Sequence, residues 1–209
     1  MSPAAHGKAR VVLASKNHKK LAELRRILAE EHLGDDVEVV GADTYPDLPD
    51  VPETGVTFAE NALLKARAVA VTTGLAALAD DSGLCVDVLG GCPGVFSARW
   101  AGGHGDDAAN LELLLAQIAD VPEGRRRAHF ACAVALARPD GTAHVVEGRV
   151  HGVVIHERRG RNGFGYDPIF VPDGEERTTA QLTAAEKDAI SHRGRALRGI
   201  VPHLRELLA

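Results

Sequence analysis

Aromatic residues, cysteines and long apolar runs are all scarce in this chain of 209 residues. Aromatics make up 4% of it, and its three cysteines, Cys85, Cys92 and Cys132, have no CxxC spacing. An odd number of thiols without that spacing fits reduced structural cysteines better than a disulfide framework or a zinc site. No run is apolar enough to span a bilayer, and residues 1–10 lack the hydrophobic block of a signal peptide. We therefore expect a cytoplasmic protein with no membrane partner.

Positive charge is also in deficit, since the formal net charge is −5. This argues against a nucleic-acid polymer as partner, because gripping a phosphate backbone needs clustered basic residues. A small anion is not excluded, because a few local lysines and a helix amino end suffice to bind it. Hydrophobic residues at 45% and charged residues at 25% are ordinary for a globular protein. The length predicts one domain, residues 1–209, with two lobes.

The pattern of the chain alternates short apolar runs with amphipathic segments, which predicts an α/β fold with a mixed sheet flanked by helices. Predicted strands cover residues 9–14, 37–40 and 75–79, and a hairpin pairs residues 130–136 with 143–155. Capping signals predict helices starting near Leu21, Thr57, Asp106 and Thr183. A terminal helix with His192 and Arg193 at its start is expected to reach Leu208 and to bend or restart at Pro202.

Two adjacent carboxylates, Asp80 and Asp81, end the apolar run of residues 75–79 and are followed by Ser82 and Gly83. Carboxylates at the carboxyl end of a strand are typical of metal ligands or of a general base in α/β proteins. The alternative is an Asp-Ser-Gly turn with solvated side chains.

A polar loop, Ser15-Lys16-Asn17-His18-Lys19-Lys20, leads from the first strand into the first helix. Helix amino-end amides and a lysine make a natural phosphate site, although the glycines of a Walker A loop are missing. The alternative is a helix cap followed by solvated lysines. Farther on, Glu53 and Lys65 flank the second helix start without an evident structural role.

Glycine-rich residues 158–168 display Phe164, Tyr166 and Asp167 in a chain that has few aromatics. An aromatic on a glycine hinge can stack on a base, whereas the alternative is a loop pinned to the core by its rings. His192 and Arg193 lie at the start of the terminal helix, where they could donate to an anion or a keto oxygen. Singly, each of these two would be a solvated charge.

Together these motifs resemble the inosine triphosphate pyrophosphatase family. The resemblance runs from Arg10 to Leu197 and rests on Ser15 to Lys20, Thr54 to Ala62, Ala79 to Gly83, Gly90 to Gly94, Phe164 to Asp167 and Ser191 to Arg193, in that order. Ser15 stands where many members have threonine, which keeps the hydroxyl. The resemblance implies a two-lobed α/β sheet with a deep central nucleotide cleft, and usually a homodimer. It also implies Mg²⁺-dependent hydrolysis of ITP, dITP and XTP to the monophosphate and pyrophosphate.

The family pattern, carried over to this chain, implies a role for each site residue. Glu53 and Asp81 would bind magnesium, Asp81 would also be the catalytic proton acceptor, Phe164 would stack on the purine, and His192 and Arg193 would read its keto edge. The implied substrate-binding residues are Ser15, Lys16, Asn17, His18, Lys19, Lys20, Lys65, Ser82, Phe164, Gly165, Tyr166, Asp167, Lys187, His192 and Arg193.

Two other functions fit part of the pattern. A phosphatase of the haloacid dehalogenase type also places aspartates after an apolar strand, but it needs Asp-x-Asp and Ser82 stands at the third position. A non-catalytic nucleotide sensor would bind triphosphates without turnover and would leave Asp81 without a role. Attack of water on phosphorus needs cations, a metal held by oxygen ligands and a carboxylate that orients the water, and the chain supplies these residue types.

Overall fold

The computed structural model describes residues 8–207. Six strands are formed: β1 (Ala9–Leu13), β2 (Val37–Gly41), β3 (Ala76–Val86), β4 (Arg127–Ala137), β5 (Ala143–Val154) and β6 (Phe170–Pro172). Five α-helices accompany them: α1 (His18–Glu30), α2 (Phe58–Thr73), α3 (Asp107–Gln117), α4 (Ala184–Ile190) and α5 (His192–Arg205). These elements confirm the predicted α/β class.

The strands form one sheet in the order β2-β1-β3-β4-β5-β6. Strand β1 pairs in parallel with β2 and with β3, in registers that set Val11 opposite Val39 and opposite Ala76. Strand β6 pairs antiparallel with β5, and β4 and β5 are neighbours joined by the short turn of residues 138–142. The sheet is therefore mixed, as predicted.

Local capping signals set the helix starts. The Asn17 side chain caps α1, Thr57 and Glu60 form a reciprocal capping box at α2, Asp106 caps α3, and Thr183 caps α4. Each cap satisfies backbone amides that have no partner inside their own helix. The capping-box prediction for residues 57–60 is confirmed.

The terminal helix begins where it was predicted. Helix α4 ends at Ile190, Ser191 adopts an extended backbone, and α5 begins at His192 and continues through Pro202 without restarting there. The Ser191 side chain accepts a hydrogen bond from the Gly194 amide at 2.9 Å, as a helix cap does. Pro202 lies inside α5, and the expected end at Leu208 falls outside the described residues.

The chain divides into two compact units. Unit 1 comprises residues up to Asp80, Ala133–Val146 and the segment from Ala196 onward, and unit 2 comprises Asp81–Cys132 and Glu147–Arg195. In unit 1, small side chains let α2 approach the strands closely, and Ala62, Ala66, Ala70, Ala77, Ala133 and Ala135 are fully buried. In unit 2, larger side chains fill the core, among them Leu84, Leu114, Phe130, Ile169 and Phe170.

The third strand extends beyond its predicted end. The sequence predicted that it stops at Ala79, but β3 continues through Asp80 and Asp81 to Val86. The two carboxylates therefore lie in mid-strand and are buried, with exposures of 4% and 8%. Gly83 allows this continuation, because a Cβ there would lie 2.3 Å from the Ser97 hydroxyl. The alternative of a solvated Asp-Ser-Gly turn is wrong.

All three cysteines are free thiols, as expected. Burial raises the pKa of the Cys85 thiol to about 11, so this thiol stays protonated at neutral pH. Across residues 8–207, no helix is both long and apolar enough to cross a membrane.

Candidate active site

The polar loop that follows β1 is held by its own side chains. The Ser15 hydroxyl accepts from the Asn17 amide at 3.1 Å, and Asn17 Oδ1 accepts from the Lys19 and Lys20 amides at 2.9 and 3.4 Å. Lys16, His18 and Lys19 are exposed, and Lys16 Nζ lies 3.6 Å from the Asp50 carboxylate. This part of unit 1 combines a capped helix start with several cations.

Lys20 differs from the other lysines of this loop because it turns into the structure. Its Nζ donates to Asp80 Oδ2 at 2.6 Å, with 20% of the lysine side chain and 2% of the aspartate side chain exposed. The alternative that all lysines of the loop are solvated is therefore wrong for Lys20. Asp80 neutralises Lys20, which gives this carboxylate a structural explanation separate from that of Asp81.

Glu53 and Lys65 form a second pair in the same unit. Lys65 Nζ donates to Glu53 Oε1 at 2.8 Å, and 18% and 23% of the two side chains are exposed. Lys65 also lines a cavity together with Ser15, Lys16 and residues 48–51. Glu53 and Lys65, which had no evident structural role in the sequence, are thus partners of each other.

Asp81 begins unit 2 and is fixed by its neighbour in the chain. Its Oδ1 accepts from the Ser82 amide at 3.0 Å. Successive strand residues point to opposite faces, so the side chains of Asp80 and Asp81 diverge from β3. A buried carboxylate with a fixed orientation is suited to hold a cation or to accept a proton.

A cavity in unit 2 gathers many of the predicted base-binding residues. Its lining consists of Ser82, Gly83, Ser97, Ala98, Asp107, Phe130, Phe164, Gly165, Tyr166, Asp167, Lys187 and His192. The members come from β3, β4, the 3-10 helix of residues 94–99, the segment before β6, α4, and the starts of α3 and α5. The lining mixes aromatic rings with a few polar groups, as small-molecule sites do.

Asp167 organises the aromatic side of this cavity. Asp167 is 2% exposed. Its Oδ2 accepts hydrogen bonds from the Phe164 amide at 2.8 Å and from Lys187 Nζ at 2.5 Å. Its Oδ1 accepts a hydrogen bond from the Thr179 hydroxyl at 2.8 Å. Gly163 is needed beside it, because φ there is +78° and a Cβ would lie 2.0 Å from Asp167 Oδ2. We expect Asp167 to position the loop rather than to contact substrate.

The two aromatic residues of the loop have different environments. Tyr166 is 4% exposed and its hydroxyl donates to the Ser97 carbonyl at 3.0 Å, so it pins the loop to the core. Phe164 is 47% exposed, and Lys187 Nζ lies 5.0 Å from its ring centroid. The alternative of a pinned loop therefore holds for Tyr166 and is wrong for Phe164.

His192 and Arg193 are buried, at 8% and 4% exposure, so the alternative of two solvated charges is wrong. The His192 ring stacks on Phe130 with 4.8 Å between centroids and 11° between planes. This stacking fixes the imidazole plane at the cavity wall.

Asp107, Ser97 and Phe130 are among the cavity residues that sequence reasoning did not assign to the site. Asp107 Oδ2 accepts from the Gly165 amide at 2.8 Å, and Phe130 supports His192. Asp107 carried only a helix-start signal and Phe130 only a strand signal. Nothing in their local sequence distinguishes them from ordinary structural residues.

Fold and site together define an α/β protein with a lysine-bearing loop after its first strand, buried carboxylates on its third strand and a half-exposed phenylalanine at a cavity. The chain belongs to the Ham1 family, whose model matches residues 11–203.

Curated relatives match nearly the whole chain. Two of them, both dITP/XTP pyrophosphatases, come from Streptomyces avermitilis and Streptomyces coelicolor. They are 65% and 66% identical over 199 residues, which is 95% of this chain and 98% of each relative.

Two solved structures are also similar to this chain. A nucleoside-triphosphatase (dITP/XTP pyrophosphatase) from Mycobacterium abscessus is 55% identical, with a TM-score of 0.76 over 93% of this chain and 99% of that one. A HAM1 protein from Coxiella burnetii is 42% identical, with a TM-score of 0.85 over 95% and 99%.

Proposed function

We propose that this protein hydrolyses the deaminated purine nucleoside triphosphates ITP, dITP and XTP to the monophosphate and pyrophosphate. It is then a nucleoside triphosphate pyrophosphatase that cleanses the nucleotide pool. The observation that carries the proposal is the half-exposed Phe164 ring at a cavity that is also lined by Lys187 and His192. The family membership and the relatives named as dITP/XTP pyrophosphatases support it.

We assign the purine base of the substrate to the cavity in unit 2. An exposed ring such as Phe164 offers a stacking face to any base, so it supplies affinity rather than selectivity. Selectivity comes from hydrogen-bond donors: His192 and Arg193 donate to a six-keto oxygen, whereas the amino group of adenine would leave a buried donor without an acceptor. Lys187 lies beside the ring as a cation for the phosphates.

The triphosphate belongs to the loop of residues 15–20 together with Lys65 and Lys187. Lys20, Lys65 and Lys187 are each paired with a carboxylate here, namely Asp80, Glu53 and Asp167. Such pairing holds each ammonium group in place before substrate arrives, which lowers the conformational entropy lost on binding.

Magnesium is the metal that the donor set fits. Glu53 and Asp81 offer carboxylate oxygens, which together with phosphate oxygens suit the small octahedral shell of Mg²⁺ better than that of a softer ion. When bound, the ion neutralises charge on the transferring phosphoryl group.

The chain's own residues supply the rest of the reaction. The Asp81 carboxylate orients a water molecule and takes its proton as the water oxygen attacks the α-phosphorus. The α–β anhydride bond breaks, and pyrophosphate leaves with charge that the lysines neutralise. The hydrogen bond from the Ser82 amide holds Asp81 in position for this role.

Two further expectations belong to the proposal, a homodimer from the family resemblance and a cytoplasmic location from the sequence. We propose that the protein acts as a homodimer. We also propose that it is located in the cytoplasm. Apolar side chains at the surface of unit 1 are compatible with a second copy, since Val56 and Val71 are 81% and 74% exposed.

The test is turnover on ITP, dITP, XTP, GTP and ATP with Mg²⁺, with separate detection of pyrophosphate and orthophosphate. We expect pyrophosphate as the first product, a strong preference for the three deaminated nucleotides, and no turnover in excess chelator. Orthophosphate as first product would instead support a phosphatase of the haloacid dehalogenase type. Tight nucleotide binding without any product would support the sensor function.

Replacing Phe164 by alanine should weaken substrate capture more than it slows the bound reaction. Base stacking is worth about 1–3 kcal/mol, which corresponds to a rise in KM of roughly 5- to 150-fold. The stacking is similar in the ground and transition states, so kcat should change little. Initial rates over a range of ITP concentrations measure both constants.

Phe96→Ala is the matched control for this experiment. Phe96 is also a half-exposed ring of unit 2, at 51%, but it packs under the Arg99 guanidinium, 5.3 Å from the ring centroid. We expect its KM to equal that of the unmodified protein. An unchanged KM in Phe164→Ala as well would remove Phe164 from the substrate site.

A further inference from the structure

A cluster of two imidazoles and a carboxylate lies in unit 1 and contains none of the residues assigned above to the substrate or magnesium. His144 lies near the start of β5, His203 lies in the last turn of α5, and Glu206 follows that helix. Their ligand atoms all lie within 4.8 Å of one another. Two histidines and one carboxylate are a donor set that borderline divalent transition ions take, and Mg²⁺ does not favour imidazole.

The distances within the cluster are close to those of a metal site. His203 Nδ1 lies 3.5 Å from Glu206 Oε1, and His144 Nε2 lies 3.9 Å from Glu206 Oε2. Ligand bonds of about 2.0–2.1 Å in a tetrahedral shell place neighbouring ligand atoms roughly 3.4 Å apart. Each imidazole binds a metal in its own ring plane, so side-chain rotations that also change the angle between the two nearly parallel rings would bring these atoms onto one ion.

One buried polar atom of the cluster is not satisfied by the protein itself. His203 Nδ1 is buried and makes no hydrogen bond of normal geometry, although it faces the Glu206 carboxylate. The two imidazole rings stack with 4.1 Å between centroids and 15° between planes. A single cation among the three groups would satisfy the buried nitrogen.

We propose that His144, His203 and Glu206 bind one divalent transition-metal ion of the Zn²⁺ class. His203 and Glu206 lie three residues apart and share a helix face, whereas His144 comes from a distant part of the chain. The ion thus joins β5 to the end of α5 in the folded protein alone, and it leaves a fourth position for water. This site is separate from the magnesium chemistry of the proposed reaction.

Binding should be measured on the full chain without a polyhistidine tag, stripped of metal and kept in excess Mg²⁺ so that oxygen sites are filled. Titration calorimetry with Zn²⁺ should show one tight site per chain, and Zn²⁺ should raise the melting temperature because it binds the folded state only. Co²⁺ in place of Zn²⁺ should give the visible absorption of a tetrahedral centre.

Substitutions of the proposed ligands test whether these residues bind the ion. His144→Ala and Glu206→Gln should each lower the Zn²⁺ affinity by at least roughly tenfold and lose most of the rise in melting temperature. Glu206 is 56% exposed in its side chain, so Glu206→Gln should fold even if a histidine variant does not. The matched control is His151→Ala, which removes one ring of another close histidine pair, His129 and His151, whose rings are tilted by 34° with 5.3 Å between centroids.

The control should bind Zn²⁺ like the unmodified protein. The proposal is overturned if His144→Ala and Glu206→Gln keep the full affinity and the full thermal shift. It is equally overturned if His151→Ala loses as much affinity as they do, since the ion would then lie elsewhere.

Discussion

Asp81→Asn is expected to abolish turnover while leaving the fold and nucleotide binding nearly intact. Loss of a general base costs roughly 10²–10⁴ in rate, and the same change weakens the proposed metal site. Asparagine keeps an oxygen that can accept from the Ser82 amide, so the strand geometry around residue 81 should be retained. The lysines and Phe164 should still bind nucleotide, since they do not depend on the charge of this side chain.

The comparison with Glu53→Gln separates the roles of ligand and base. If Glu53 only binds magnesium, its variant should be milder, and extra Mg²⁺ should partly restore the rate because concentration offsets weaker affinity. Magnesium cannot replace a missing proton acceptor in Asp81→Asn. The measurement is turnover at saturating ITP across a magnesium titration, with a thermal melt of each variant.

Near-normal turnover of Asp81→Asn, or full recovery with magnesium, would contradict the assignment of the proton acceptor. Asp80 is then the neighbouring carboxylate to consider, although it is 4% exposed and ion-paired with Lys20.

Asp167→Asn is expected to destabilise the protein and to disorder its base-binding cavity. The change leaves the Lys187 charge without its carboxylate in a site where only 18% of the lysine side chain is exposed. Removal of one partner of a buried pair costs about 3–5 kcal/mol in the free energy of unfolding. An amide also cannot accept from the Phe164 amide, Thr179 and Lys187 all at once, because it has one oxygen.

The KM for ITP should therefore rise together with the loss of stability, since the Phe164 loop is no longer held. Denaturant unfolding and initial rates at low temperature measure the two effects. The matched control is Asp173→Asn, which breaks the pair between Arg127 and Asp173 with 45% and 53% of the side chains exposed. That change should cost about 1 kcal/mol or less.

Equal stability losses in Asp167→Asn and Asp173→Asn would contradict the view that the buried Asp167 network holds the loop. A destabilised Asp167→Asn with an unchanged KM would limit Asp167 to a structural role away from substrate.

Several elements could be predicted from the sequence because their signals are local. The capping boxes at residues 57–60 and 183–186, the hairpin of β4 and β5, and the loop of residues 158–168 all depend on residues close in the chain. Dependence on local signals also explains why the end of the third strand was predicted wrongly. Asp-Ser-Gly is a good turn sequence, yet β3 continues through it because pairing with neighbouring strands outweighs a local turn preference.

Phe164 and Tyr166 show why side-chain roles within one loop were harder to predict. Both are aromatic residues on the same glycine-rich segment, and the same two alternatives, stacking on a base or packing in the core, applied to each of them. The structure buries Tyr166, whose hydroxyl reaches the Ser97 carbonyl across 69 residues of sequence, and leaves Phe164 half exposed. Which of two neighbouring rings meets the core depends on an acceptor that is distant in the chain.

The sequence by itself determined the α/β class, the helix starts and the motifs by which the chain resembles its family. Only the tertiary structure decided the charge partners, which join Lys20 to Asp80 and Lys187 to Asp167 over 60 and 20 residues of sequence. It alone also brought His144 to His203 and Glu206. The physical reason is that caps and periodicity act between residues close in the chain, whereas an ion pair or a ligand cluster depends on which distant segments the packed core brings together.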